Sequence, residues 1–145
     1  MRPLLLIAPL FILVACGGTQ TKPVVVNPQS CYIEAPADKP ELAANTEIHV
    51  FGWVFDKFSA NSKGAVRIQL ASADRTVIKS IAVDELTGRD DVAADRKDPL
   101  AQKSGFSAKF AANTLAPSTY DVSVIRETDD AIIVCANGHN TFTVK

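Results

Sequence analysis

From residue 31 onward, apolar and polar positions alternate with a period of two, and long amphipathic helices are not evident. The alternation marks eight segments: 31–34, 47–56, 65–71, 77–83, 105–111, 119–126, 131–136 and 141–144. Turn-forming residues separate them, at Pro36 to Pro40, Asn61 to Gly64, Ala73-Asp74, Asn113 to Pro117, Thr128 to Asp130 and Asn137-Gly138. Runs of this length and spacing predict an all-β chain, a sandwich of about 7–8 strands. One long connection, 84–104, breaks the rhythm, and within it residues 90–97 are predicted to form a short helix capped by an acidic residue. In 48–55, His49, Phe51, Trp53 and Phe55 share one face, while Ile48, Val50, Gly52 and Val54 share the other. Both faces are largely apolar, which predicts a central strand.

The N-terminus has a different pattern. Arg2 precedes an almost unbroken apolar stretch over residues 4–15. That is the layout of a secretory signal peptide, and it is short of the roughly 20 apolar residues that a membrane span needs. Leu13-Val14-Ala15-Cys16 resembles the lipobox of bacterial lipoproteins. The resemblance implies that Cys16 receives a diacylglycerol, that residues 1–15 are removed, and that Gly17 directs the product to the outer membrane in a Gram-negative host. The expected localisation is therefore the cell envelope, with the membrane as a partner through the lipid. Residues 16–30, rich in Gly, Pro and polar side chains, are expected to be a lipidated flexible tether, and 31–145 the folded domain. Docking of Val24-Val25-Val26 onto a sheet edge is the alternative for part of that tether.

The anchor also settles the cysteine count. Of three cysteines, one is assigned to lipid, leaving Cys31 and Cys135, and an exported chain with an even remainder predicts a disulfide. No CxxC or His-rich cluster supports a metal or a nucleophilic thiol.

Two further features sharpen the sandwich. Leu115-Ala116-Pro117-Ser118-Thr119-Tyr120 resembles the corner that leads into a late strand of Ig-like and fibronectin-like domains, where the Tyr hydroxyl bonds to upstream backbone. More broadly, Gly52-Trp53 with Asp56, the alternating Val66/Ile68/Leu70, Arg89-Asp90-Asp91-Val92-Ala93 and Gly105-Phe106 resemble Ig-like domains of bacterial envelope proteins and carbohydrate-active enzymes. This resemblance implies a fold and an accessory role, and brings no catalytic residues.

Candidate binding residues are Trp53, Phe58, Arg89 and Asp91. Arg89 has the chemistry to grip a carboxylate or a sugar hydroxyl with Asp91 orienting it, or to pair within its own loop while Asp91 caps the helix. Trp53 and Phe58 suit sugar stacking, although a Trp packed in the core against the disulfide is the commoner arrangement in such sandwiches. Asp90, Asp91, Asp95 and Asp98 lack the spacing of a calcium loop, so they read as solvated charge and no metal is expected.

Fifteen basic and 16 acidic residues leave a net charge of −1, with no clustered basic run to suggest nucleic acid. The two histidines, His49 and His139, belong to no hydrolase or metalloprotease motif. No catalytic residue and no cofactor is therefore expected. The leading expectation is a non-enzymatic envelope lipoprotein that binds or scaffolds another envelope protein. A module for envelope polysaccharide or peptidoglycan is the second reading, and a small periplasmic enzyme inhibitor the third.

Overall fold

In chain order the strands are β1 (Val24–Val26), β2 (Cys31–Ala35), β3 (Glu41–Leu42), β4 (Ile48–Val54), β5 (Ala65–Ser72), β6 (Ile78–Val83), β7 (Thr87–Gly88), β8 (Lys103–Phe110), β9 (Ser118–Glu127), β10 (Ile132–Cys135) and β11 (Thr141–Val144). Helix α1 (Asp90–Arg96) and a 3-10 turn (Pro99–Gln102) lie between β7 and β8. The computed structural model describes residues 21–37, 39–56, 64–136 and 140–145. Cys16 with its signal segment, Phe58, His139 and the Asn137-Gly138 turn lie outside the described residues.

The strands form two sheets. One has the order β2-β4-β8-β7. In the other, β6, β5 and β9 are antiparallel neighbours, and the far edge of β9 is shared by β10 and β11. β1 adds to β10 and β3 to β11, both in parallel. All eight expected strands are present, and three strands of two or three residues join them. The Val24–Val26 run takes its edge-docking alternative, so these three residues of the 16–30 segment belong to the sheet. The physical reason is the exposed row of backbone groups on β10, which a β-branched triplet suits.

The period-two pattern sets the core. Cys31 and Ile33, Ile48, Val50 and Val54, and Phe106, Ala108 and Phe110 point inward from the smaller sheet. Val66, Ile68 and Leu70, Tyr120, Val122 and Val124, Cys135, Phe142 and Val144 meet them from the larger one. The expected disulfide is present: Cys31 and Cys135 join the two sheets, with Cα atoms 5.9 Å apart. A bridge across about 100 residues removes on the order of 4–5 kcal/mol of chain entropy from the unfolded state, in the chain-entropy model. The predicted corner also forms, with the Tyr120 hydroxyl donating to the Ala116 carbonyl at 2.9 Å and the ring stacked on Phe142. Burial raises the Tyr120 pKa, opposed by that bond. At one end of the sandwich Arg126 and Asp56 are both buried; burial lowers the Arg126 pKa and the Asp56 charge opposes it. These features make a mainly-β sandwich consistent with an Ig-like domain.

Candidate functional site

The long connection between β6 and β8 folds back over the outer face of the smaller sheet. Asp90 and Asp91 fall in the first turn of α1 and Arg96 in its last, the arrangement that the helix dipole favours. The expected acidic cap is corrected: Arg89 occupies the N-cap position and no side chain caps there. Lys97 ends the helix in the left-handed region, with its own N–H and that of Asp98 bonded back to Ala94 and Ala93. Asp98 then caps the next turn by accepting from the Leu100 N–H at 3.0 Å, with Pro99 opening it. Val92 and Ala101 are thereby pressed onto Phe55, and Trp53 and Ala93 pack beside them.

Trp53 is not packed in the core against the disulfide. It lies on the face opposite Cys31 and Val54, half-buried under α1, and the Arg96 guanidinium sits 4.6 Å above its ring centre. The core-packing expectation fails because the inserted connection gives the outer face its own small apolar layer.

The rest of that face is open. Tyr32, 55% exposed, stands opposite Trp53 on the neighbouring strand. Phe51 follows two residues along β4, and the exposed His49 ring lies 5.0 Å from it. His49 Nε2 and Ser107 Oγ are 2.7 Å apart. Glu34 arrives by a β-bulge: Ile33 pairs with Gly52 and Ala35 with Phe51, leaving Glu34 as the extra residue. Gly52 is required there, since a Cβ would collide with the Tyr32 carbonyl oxygen. The buried Asn140 amide fixes the bulge by donating to the carbonyls of Ile33 and Pro36.

Arg89 lies between these groups. Its Nε and Nη2 donate to the two oxygens of Asp91 at 2.8 and 2.7 Å, and Nη2 also lies 2.7 Å from Glu34. The bonds to Asp91 raise the Arg89 pKa above its ordinary value, with burial opposing and Glu34 adding to the rise. In return, Arg89 lowers the Asp91 carboxyl to about 2. Gly105 leaves room for the arginine stem, because a Cβ would collide with the Thr87 hydroxyl and press on Arg89 Cγ. Glu34, His49, Phe51, Thr87, Arg89 and Ser107 line a shallow depression of about 540 Å³.

Sequence reasoning singled out Trp53, Arg89 and Asp91 here and set His49 and Phe51 on the Trp53 face, but missed Tyr32, Glu34, Arg96 and Ser107. The signal for two of them was present. If Cys31 faces inward, period two sends Tyr32 and Glu34 outward.

The Ser107–His49 contact lies on an open sheet face. Among the described residues, no carboxylate meets the other His49 nitrogen. The N–H groups nearby belong to the ladder between β4 and β8. The acids of the connection are dispersed: Asp90 accepts from Gln102, Asp91 holds Arg89, Asp95 lies near Arg96 and Asp98 caps a turn. Among the described residues, no three acidic, Cys or His side chains converge on a metal position. Comparisons with protein-family models, with curated proteins and with solved structures find no match.

Proposed function

We propose that the chain is a non-enzymatic lipoprotein of the bacterial cell envelope. In this reading it is anchored through Cys16 and uses the open outer face of the β2-β4-β8-β7 sheet to bind another envelope protein. The supporting observation is the patch itself: exposed Tyr32 beside half-buried Trp53, Arg96 stacked on the indole, and Phe51 and His49 beyond. Tyr, Trp and Arg are the side chains that dominate protein interfaces, and here the sheet and α1 hold them rigidly. Nothing in the core requires this patch to be aromatic. A glycan is the second reading, favoured by the rings following one another along β4, which suits a chain of sugars lying on the sheet.

A photo-crosslinking side chain at position 32 in intact envelopes tests the proposal. One protein captured in stoichiometric yield, and none from the same probe at Gln69 on the other sheet, is the expected result. No capture, together with retention of the protein on envelope polysaccharide that Tyr32→Ala abolishes, transfers the assignment to the glycan. The anchor has a separate readout. The mature chain is expected to begin at an acylated Cys16, and a mass spectrum of an unmodified chain beginning earlier removes it.

A further inference from the structure

Among the described edge strands, β1 alone is wholly apolar. β6 has Lys79, β2 has the Glu34 bulge, and β3 and β7 are two residues long. β1 is Val-Val-Val, with the three side chains 63%, 45% and 66% exposed. Its inner edge is spent on β10: the Ile132 N–H bonds to the Pro23 carbonyl, and the Asn27 N–H to the Val134 carbonyl. Residues 23, 25 and 27 thus turn their backbone groups inward. Alternation turns the N–H and C=O of Val24 and Val26 outward, symmetrically about Val25.

We infer that the occupant of this edge is β1 of a second copy, paired antiparallel about a two-fold axis through Val25. In that register Val24 faces the partner's Val26, and Val26 the partner's Val24. Each is a hydrogen-bonded pair, and the two Val25 residues form the non-hydrogen-bonded pair between them. The outward groups are all used, and valine meets valine at every position. The next outward positions are Lys22 and Pro28, which face each other across the axis. Lys22 therefore meets no like charge, and Pro28 has no N–H with which to continue the ladder.

The chain outside the described residues supports the same occupant. Cys16 lies eight residues before Val24; extended, these span at most about 30 Å. Two copies anchored in one leaflet hold their β1 edges within that distance of the membrane and move in two dimensions. A contact of this size is too small for a dimer in dilute solution and becomes effective where anchors concentrate the copies. This last step rests on the lipid at Cys16; the pairing geometry does not.

Variants of the full chain that each add one cysteine, oxidised mildly in native membranes, read the register directly. Val25→Cys is expected to give a covalent dimer. Val24→Cys and Val26→Cys, each alone, are expected to give about tenfold less, because identical positions there lie beyond the roughly 7 Å reach of a disulfide. Co-expressing those two variants restores the dimer. Adding Val24→Pro to Val25→Cys removes an outward N–H without touching the ladder to β10, and is expected to reduce the dimer about tenfold. Peptide mapping confirms in each case that Cys31 and Cys135 are still joined. Equal yields at all three positions, no dimer at position 25, or capture of a different protein there would overturn the inference. The acyl mass on Cys16, measured on the same sample, shows whether a failure belongs to the anchor or to the strand.

Discussion

The two sheets share one core but present unlike faces to solvent. On the larger sheet the outward positions of β5 and β9 include Arg67, Gln69, Thr119, Asp121 and Ser123, joined at the surface by contacts such as Arg75–Asp121 at 3.1 Å and Thr119–Thr143 at 3.1 Å. On the smaller sheet the equivalent positions are Tyr32, Phe51 and Trp53, and the connection carrying α1 covers their far end. A sandwich needs only its inner faces apolar. Ile125, Ile132 and Val134 lie on the larger sheet's outer side toward β10. The polar stretch over β5 and the first half of β9 shows what this core demands, and the aromatic outer face shows what it does not. The residues beyond that demand are those most reasonably read as functional.

If the comparison is sound, the two outer faces should depend on one core and unfold together. The double variant Cys31→Ala/Cys135→Ala is expected to lose about 2–5 kcal/mol. The single Trp of the chain reports only on the aromatic face, whereas far-UV circular dichroism follows both sheets. Coincident denaturant transitions from the two probes are expected. An earlier tryptophan transition would show that α1 and its surroundings form a separate unit.

A smaller effect tests the layer beneath α1. Val92 is buried against Phe55 and Ala101. Truncating Val92→Ala removes two methyl groups and should cost about 1–2 kcal/mol, with Trp53 emission shifting to the red. Gln69→Ala on the polar face should stay within about 0.5 kcal/mol. Equal costs would erase the distinction between the faces.

Much of this architecture was legible in the residues, and the exceptions have physical reasons. Long alternating strands such as β5 and β9 announce themselves because six consecutive positions alternate in burial. β3 and β7 do not, since two residues make a strand only when a partner supplies the ladder. The disulfide followed from assigning Cys16 elsewhere, and the Tyr120 corner from a local motif whose bond closes within four residues. The orientation of Trp53 was not legible, because β4 is apolar on both faces. What decides it is the packing of residues 85–104, a tertiary event with no local signature. The bulge at Glu34 is hidden for the same reason, as it depends on Gly52 across the ladder.

Next in size is the cation over Trp53. Arg96→Ala should cost about 0.5–1 kcal/mol and change the indole fluorescence in the native state. On the polar face, Arg75→Ala should cost no more than about 0.5 kcal/mol, as its partner Asp121 is an exposed surface ion pair. Arg96 is the more informative variant because it also uncovers Trp53. Capture by the probe at position 32 should change with it if the indole belongs to the binding surface, and stay constant if Tyr32 and Phe51 suffice.

The smallest effect compares two carboxylates whose pKa values are both lowered, by different means. Asp91 is held down to about 2, chiefly by hydrogen bonds from the Arg89 guanidinium. Asp74, in the turn between β5 and β6, is lowered by neutral donors, first the Ser72 hydroxyl and then the Thr76 backbone N–H and hydroxyl. A depressed carboxyl contributes stability that is fully present above its unfolded value, about 4, and is lost as pH falls through the folded value. The Asp91–Arg89 fork should therefore persist through mild acid and open near pH 2. Carbon-detected carboxyl titration measures both groups at once. Arg89→Gln should return Asp91 toward the ordinary carboxylate range and leave Asp74 unmoved. A shift at Asp74 would mean that the arginine acts through the fold as a whole. A shift confined to Asp91 would show that Arg89 belongs to the aromatic face alone.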